Sequence, residues 1–581
     1  MHSILHSRPA WFVAACLMAA VPCRGLDYSV PFVRDGLPYF GTDGVAGFGA
    51  IVGQIEVRGS EGNGIDGFDG HRQTGLGPDP GDPNYGLYGY QNVVDFSGAN
   101  DPTDNNFHGT FVAGVMASEY VSVTTPNATL PFLGMAPLAK YYGAIFDGSG
   151  TKQGFLSLNS SLNYVAVQQG ATVVNNSWGS TVTDASQLDG SSAESLLMDE
   201  YAGYYGKTGG TTGTYLDKLM VISAGNSGAD TGLLGSPADC FNGLTVGALD
   251  AINPDASAID DPTRAPALRV APYSSWRPLA NGRGGVDVVA PGTNLWSTLS
   301  INYFQENGEV AGVASGTSFA APHVAGEAAL LYGAQSNTLG FVSDKGTFLS
   351  TDHKLIKALI INSADKIAGL DARGNQQSTW QPGLVLAKNG VPNAIVPLNY
   401  AVGSGSANAN EAFLQYRESG SRFWDMNVLA ATGSDIYYTL GEGKFTSDTF
   451  DSSLPFTLTA TLVWDRHVDL TISTDPNDPS LGSLDKILLS DLDLILQEEI
   501  SPGVWKDIYM SADTGSTVDQ IYLQNLDGGM GYRLDVHAGD IADPSIGEQY
   551  ALVVSFPTVP EPSSVVMVIV GVGVLCGRRR R

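Results

Sequence analysis

The sequence predicts an α/β fold class in two folded parts: three layers built on a mostly parallel sheet, then an antiparallel β-sandwich. From about residue 45 to 415, short β-branched runs alternate with amphipathic helical stretches, which indicates a parallel sheet with helices on both faces. After residue 416 the helical periodicity ends. Short alternating runs punctuated by Gly, Asp, Asn and Pro then predict a sandwich of about 140 residues.

The individual elements follow from local pattern. In the first part, strands are predicted over residues 171–175, 219–223 and 286–290, and helices after His108, after Ser318 and over 353–364. In the second part, strands are predicted over residues 456–464, 487–496, 520–523, 532–536 and 549–555.

Charge and cysteine content narrow the class of protein. The formal net charge of −29 repels phosphate backbones, so we expect no nucleic-acid partner. Of the four cysteines, only Cys240 lies outside the terminal segments, so the folded body has no disulfide framework. Its stability must come from core burial, with structural calcium left open.

Residues 1–25 have the layout of a secretory signal peptide. Arg8 precedes an apolar run over residues 10–21, and Pro22-Cys23-Arg24-Gly25 follows it. We expect cleavage near residue 25 and therefore export across the inner membrane. A buried first helix is the alternative interpretation.

Residues 557–581 form a second targeting segment. Pro560-Glu561-Pro562 is followed by an apolar stretch over residues 565–576 and then by Arg578 to Arg581. This order resembles the PEP-CTERM sorting signal of Gram-negative bacteria. The resemblance implies transient membrane anchoring and an exosortase-type processing partner, with delivery to the cell envelope, cell surface or extracellular matrix. The apolar stretch is shorter than the roughly 20 residues that span a bilayer.

Ser318 is the candidate nucleophile because it stands at the predicted start of a helix. Small and polar residues precede it, and apolar residues recur at helical spacing from Ala320 to Leu330. The unpaired N–H groups and the dipole of a first helical turn favour a developing oxyanion. Pro322 is tolerated if it lies in that first turn. A helix-capping serine is the alternative.

His108 is the candidate general base, since a serine hydroxyl needs a base to become a strong nucleophile. It too stands before a predicted helix, whose apolar face includes Phe111, Val112, Val115 and Met116. A structural histidine at a helix start is the alternative.

Two runs, residues 316–326 and 108–114, resemble the most diagnostic motifs of the subtilisin-like serine peptidases, the subtilases. Further matches follow in family order at residues 134–137, 174–179, 223–228, 287–292 and 357–360. The resemblance implies a subtilisin-like peptidase domain over residues 26–415, with Ser318 as nucleophile, His108 as base and Asn226 as oxyanion donor. It also implies substrate contacts by Ser177, Trp178, Gly179, Ser223, Ala224 and Gly225.

The catalytic acid departs from the family pattern. The family has Asp after an apolar strand, whereas this chain has Glu56 at the matching place in residues 50–59. A glutamate can accept the imidazole N–H and stabilise the imidazolium in the same way. The alternatives are that Asp66, Asp69 or Asp104 serves, or that the site is degraded.

The family plan also has a pro-domain, and here only residues 26–44 separate the signal from the first strand. We therefore hypothesise folding without a long N-terminal chaperone, with the sandwich assisting.

The sandwich, residues 416–556, has a weaker resemblance of its own. Residues 458–464 and 490–494 look like the C-terminal β-barrel or jelly-roll domain of some bacterial alkaline subtilases. Asp491, Asp493 and Asp527 could ligate calcium together with backbone carbonyls, although solvated carboxylates are an equal interpretation. The chemistry itself requires no cofactor.

The sequence thus indicates an exported, monomeric serine endopeptidase that acts on protein or peptide substrates through an acyl-enzyme. The main alternative is a catalytically impaired surface or binding protein that retains the fold, and Glu56 is its only support. A lipase or esterase is disfavoured, because residues 316–326 do not fit Gly-x-Ser-x-Gly after a strand.

Overall fold

The protein's structure is a computed structural model, which describes fourteen stretches of the chain. These are residues 26–34, 36–37, 46–58, 92–98, 107–118, 121–125, 128–205, 214–250, 268–299, 311–336, 351–418, 420–442, 454–473 and 482–557.

A seven-stranded sheet lies at the centre of the first part, and every pair of neighbouring strands in it is parallel. Across the sheet the strands are Val288–Pro291, Leu244–Leu249, Leu219–Ser223, Val173–Asn176, Ile51–Arg58, Lys140–Asp147 and Asn92–Asp95. The middle strands are buried along their length, because helices cover the sheet on both sides. Strand carboxyl ends therefore meet at one edge, where parallel sheets place their functional groups.

Four of the described α-helices begin where the sequence supplies a capping side chain. Thr151, Ser192, Asp352 and Asn408 each accept a hydrogen bond from a backbone N–H in the first turn of the helix that follows. The α-helices are Leu26–Arg34, His108–Ala117, Lys152–Leu162, Ala193–Ala202, Thr317–Ser336, His353–Ser363 and Ala409–Tyr416, with a π-helical turn at Asn163–Gln168 and a 3₁₀ turn at Ala185–Gln187. Short hairpins pair Val121–Thr125 with Ala128–Phe132, Tyr204–Tyr205 with Thr214–Tyr215, and Leu295–Thr298 with Ala311–Ala314.

The first helix, Leu26–Arg34, is part of the core of the first part. Val30 and Val33 are fully buried in the same apolar cluster as the helix that carries Ser318. The guanidinium of Arg34 donates to the carbonyl of Met135 at 2.8 Å. Residues that directly follow the predicted signal peptide are therefore built into the fold.

The second part is made of two facing sheets with an apolar core between them. The six-stranded sheet consists of Leu384–Lys388, Val391–Val396, Val504–Ser511, Asp491–Ser501, Tyr532–Asp540 and Asp435–Thr439. The four-stranded sheet consists of Arg422–Leu429, Glu548–Ser555, Phe456–Trp464 and Val518–Leu526. A separate hairpin, Arg466–Ile472 with Gly482–Leu489, projects toward the first part and packs on the helix Ala193–Ala202.

The predicted fold class is confirmed, with three local differences. The hairpin 384–396 adds to a sheet of the second part although it precedes the predicted boundary at residue 415. The run 487–496 divides at Ser490 between two strands, Gly482–Leu489 and Asp491–Ser501. Pro322 is the sixth residue of its helix, so it lies beyond the first turn.

Candidate active site

Glu56 and His108 form the first contact of the candidate site. Glu56 stands near the carboxyl end of its central strand and is 1% exposed. Its Oε2 atom lies 3.1 Å from Nδ1 of His108, and its Oε1 atom accepts the N–H of Val57 at 3.3 Å. A carboxylate in this position holds the proton on Nδ1, which leaves Nε2 able to take up another.

His108 is the first residue of its helix, and the backbone before it is unusual. Phe107 has φ of 62°, a left-handed conformation that costs energy in residues other than glycine. This bend brings the chain sharply into the helix, and the His108 side chain stays 20% exposed. The His108 imidazole therefore contacts Glu56 on one side and is open to solvent on the other.

Ser318 is the second residue of the helix Thr317–Ser336, and it is half-buried. Its hydroxyl donates to the carbonyl of Ser177 at 3.2 Å, and the Ser177 hydroxyl donates to the carbonyl of Ser318 at 2.7 Å. Pro322 explains the second bond. It has no N–H to offer the carbonyl four residues earlier, which is that of Ser318, so the carbonyl is available to Ser177.

Aromatic packing fixes the two helix starts relative to each other. The ring of Phe319, next to Ser318, lies 4.4 Å from the ring of Phe111 and 5.5 Å from the imidazole of His108. Both phenylalanines are buried. Sequence reasoning assigned Phe111 only to an apolar helix face and missed Phe319, because neither pattern shows which rings meet.

Asn226 follows the central strand Leu219–Ser223, and its side chain is oriented by Thr317. Its Oδ1 atom accepts the N–H of Thr317 at 2.9 Å and the Thr317 hydroxyl at 3.0 Å. The amide nitrogen is thereby turned away from these donors and kept as a hydrogen-bond donor at an exposed position beside the helix start. The orienting role of Thr317 was not foreseen from sequence.

The predicted substrate-contacting residues lie on two adjacent strand ends. Ser177–Gly179 follows Val173–Asn176, and Ser223–Gly225 ends the neighbouring parallel strand, since Asn176 pairs with Ile222. Trp178 is buried, with its ring 4.7 Å from that of Phe146. Gly225 has φ of 105°, which only glycine adopts readily, and its N–H donates to the Thr317 hydroxyl at 3.2 Å. The two segments thus face one edge of the sheet together.

Two ionisable residues of the helix Thr317–Ser336 are directed into the core. His323 is fully buried between the Ser29 hydroxyl and the carbonyl of Phe319, and burial lowers its pKa to about 4. Burial and the nearby Asp365 raise the pKa of Glu327 well above its usual value. Both are therefore neutral core groups rather than catalytic ones.

The predicted calcium ligands are not gathered into one site. Asp491 and Asp493 lie on one strand and Asp527 in a turn, and among the described residues these three form no metal-sized group. Burial raises the pKa of Asp493 to about 6. The alternative acids Asp66, Asp69 and Asp104 lie outside the described residues.

A different group, Asp217, Asp352 and His353, has ligand atoms close enough together to hold an ion. The ammonium of Lys354 lies 3.2 Å from Asp352, and the imidazole already bonds Asp217. Because the Lys354 ammonium already lies against this group, the group is unsuited to calcium, which takes six to eight oxygen ligands.

Residues 80–392 match the model of the subtilase family, and the chain belongs to that family. The match begins after Glu56, so the strand that carries the candidate acid lies outside it. Residues 558–581 match the PEP-CTERM protein-sorting motif, as the sequence indicated. Within the described part of the chain, every helix is too short or too polar to cross a bilayer. The predicted apolar segment 565–576 lies outside that part.

The chain is similar to several known proteases. It is 31% identical to a thermophilic serine proteinase of Bacillus sp. (strain AK1) over 46% of this chain and 49% of the relative. It is 30% identical to subtilisin BL of Lederbergia lenta over 39% of this chain and 64% of the relative. The solved structure of an S41 psychrophilic protease covers 66% of this chain and 98% of its own, with TM-score 0.40 and 18% identity. The matches thus span about half to two thirds of these curated relatives' length.

Proposed function

We propose that the protein is an exported serine endopeptidase that cleaves peptide bonds in proteins through an acyl-enzyme. The observation that carries the proposal is the hydrogen bond between His108 and the buried carboxylate of Glu56. It pairs the base with an acid at the strand end where the family has aspartate. Family membership and the side-chain orientation of Asn226 support the same reaction class.

Family membership, with the contacts of Glu56 and Asn226, supports the following role for each group. An extended peptide lies along Ser177–Gly179, and Ser318 Oγ attacks its carbonyl carbon while His108 Nε2 takes the hydroxyl proton. The resulting oxyanion accepts hydrogen bonds from the Asn226 amide and the Ser318 backbone N–H. The C–N bond then breaks as His108 returns the proton to the leaving amine, and a water molecule releases the acyl group by the same steps in reverse.

A Ser318→Ala variant tests the proposal directly. We expect loss of peptide hydrolysis and of labelling by a fluorophosphonate, since the variant lacks the attacking oxygen. Ser160→Ala is a matched control, because that hydroxyl donates to the Leu156 carbonyl on a separate helix. Labelling that survives in Ser318→Ala would overturn the assignment of the nucleophile.

The predicted signal at residues 1–25 and the sorting motif at 558–581 support export and transient anchoring in a Gram-negative cell envelope, with processing by an exosortase-type enzyme. Deleting residues 558–581 should release active protein into the medium. Unchanged retention in the envelope fraction would contradict this localisation.

A further inference from the structure

The chain passes from the second part into the first at Asp465 and Arg466. These residues leave the strand Phe456–Trp464 and open the hairpin that packs on the helix Ala193–Ala202. Both side chains are buried, with 3% and 5% exposure. A buried arginine at such a junction needs a counter-charge and hydrogen-bond acceptors among the residues that surround it.

Arg466 finds those partners with both its side chain and its backbone. Its guanidinium donates from Nε to Asp199 at 2.8 Å and from Nη2 to Asp199 and, at 2.7 Å, to the carbonyl of Gly190. The side chain of Asn242 bonds both backbone groups of Arg466 at 2.8 Å. The guanidinium also lies over the ring of Phe241 at 4.0 Å.

Asp199 is the buried carboxylate of the first part with which Arg466 pairs. The carboxylate is fully buried and also accepts the backbone N–H groups of Phe241 and Asn242 at 2.8 and 2.7 Å. Arg466 is its ion-pair partner, although it follows 267 positions later in the chain. The second part of the protein therefore supplies a charge that the first part needs.

Gly190 links Arg466 to a series of hydrogen bonds that ends at Ser180, next to the predicted substrate-binding segment. The N–H of Gly190 donates to Asp239 at 2.7 Å, and Asp239 also accepts the Ser195 hydroxyl at 2.6 Å. The Ser195 hydroxyl lies 3.4 Å from the hydroxyl of Ser236. The carbonyl of Ser236 in turn accepts the N–H of Ser180 at 2.8 Å, one residue beyond the predicted substrate strand.

From these contacts we infer that Arg466 is a positioning residue for the substrate-binding segment Ser177–Gly179. The inference rests on the proposed peptidase function. Arg466 fixes Gly190 and Asp199, and these two residues fix the loop that carries Ser236 and Asp239. That loop in turn holds Ser180, which follows the substrate-binding segment. The C-terminal part thereby sets the position of the substrate-binding segment Ser177–Gly179.

Arg466→Lys separates positioning from charge. A lysine keeps the attraction to Asp199, but it lacks the planar fork that bonds Asp199 and Gly190 together. We expect KM for an extended peptide to rise so that kcat/KM falls about tenfold, with kcat little changed. Inactivation by phenylmethanesulfonyl fluoride, which does not use the extended site, should stay within about twofold of the unchanged protein.

Arg422→Lys is the matched control, since Arg422 makes a similar two-bond pair with Glu411 at 2.6 and 2.9 Å. Arg422→Lys should leave both kcat/KM for the extended peptide and the rate of inactivation by phenylmethanesulfonyl fluoride unchanged. Hydrogen exchange by mass spectrometry supplies a readout that does not depend on activity: amides in residues 177–192 should exchange faster in Arg466→Lys and not in Arg422→Lys.

The outcomes separate the two proposals. If the unchanged protein neither hydrolyses peptides nor reacts with the sulfonyl fluoride, the proposed function fails, and the exchange measurement still decides whether Arg466 orders residues 177–192. If the unchanged protein is active, equal KM and equal exchange in Arg466→Lys would overturn the positioning role. A parallel loss of peptide hydrolysis and sulfonylation would also overturn it, because that pattern indicates general destabilisation.

Discussion

The Oε2 atom of Glu56 lies 3.1 Å from Nδ1 of His108, so the longer acid reaches the imidazole. The carboxylate is buried and its other oxygen accepts a backbone N–H, which leaves it little freedom to move away. An acid that is fixed in this manner can hold the tautomer and stabilise the imidazolium that forms during catalysis.

Glu56→Gln should lower kcat about 10³- to 10⁴-fold with KM nearly unchanged, because the amide can neither stabilise the imidazolium nor hold the same tautomer. Steady-state kinetics on a peptide substrate measure this. Glu56→Asp is the matched control, and we expect an intermediate kcat because its carboxylate is one methylene short. Activity within tenfold of normal in Glu56→Gln would show that a different carboxylate serves.

Asn226→Asp should lower kcat about 10²- to 10³-fold, because its carboxylate can accept the two bonds from Thr317 but offers no N–H to an oxyanion. Asn226→Ala should cost a similar factor. Thr317→Val, which removes one orienting bond and keeps the amide, should cost less than either. Kinetics of the three variants with one substrate check the order, and a larger loss in Thr317→Val would contradict the oxyanion role.

Ser177→Ala should lower both stability and kcat. The hydroxyl supplies the bond that Pro322 withholds from the Ser318 carbonyl, and it accepts a bond from Asn175 at 2.9 Å. We expect a loss of about 1–3 kcal/mol in the free energy of unfolding, as for other buried carbonyls left without a donor. Denaturant titration measures it, and Ser160→Ala should show less than 1 kcal/mol.

Asp465→Asn should destabilise the protein by about 3 kcal/mol, since it removes the carboxylate shared by two buried cations, which then keep Asp217 and Asp352 as their counter-charges. Asp465 lies 2.9 Å from His353 Nε2 and 3.2 Å from Lys354 Nζ, and both cationic side chains are almost wholly buried. Urea denaturation measures the change. Breaking the more exposed pair of Lys486 with Asp543 by Lys486→Ala should cost under about 1 kcal/mol, and an equal cost in both variants would refute the role of burial.

His353 should contribute a decline in stability as pH rises from about 6.5 to 9. Burial opposes a charge on His353, but Asp465 and Asp217 outweigh it and raise the His353 pKa from 6.5 to about 9. The stabilisation by protonated His353 is therefore complete below pH 6.5, where His353 is protonated in both the folded and the unfolded protein. It is lost as the pH rises through 9. His353→Gln should flatten this decline, by up to about 3 kcal/mol in denaturation curves taken across that range.

His537→Gln serves as the control for the pH measurement. His537 pairs with Asp435 at 2.6 Å, and both side chains are 33% exposed. Solvent screens such a pair, so this variant should follow the same pH dependence as the unchanged protein. A decline that persists unchanged in His353→Gln would show that other groups cause it.

Local pattern was enough to locate the helix starts at His108 and Ser318 and some of the strands in the central sheet and in the two facing sheets. These features depend on residues close together in sequence, such as apolar spacing and β-branched runs. The contact of Glu56 with His108 was a hypothesis at that stage, because the sequence does not show whether a longer side chain reaches across 52 positions.

The contacts between the two parts were beyond sequence reasoning. Nothing in the neighbourhood of Arg466 indicates a partner at Asp199, since ion pairs between distant residues leave no periodic signal. The hairpin 384–396 was not predicted, although its Asn389-Gly390 turn is a hairpin signal, and its place in a sheet of the second part leaves no local trace in the sequence.

The proposed peptidase activity could cleave other copies of the same protein, and locally unfolded segments are the most susceptible to such cleavage. In proteins of two parts, the seam between them is the usual place for such opening. Here Asp465 pairs with His353 and Arg466 pairs with Asp199 across the interface, so separating the two parts would break two buried ion pairs. Self-cleavage should therefore begin at exposed loops, and the two parts should resist proteolysis to the same extent.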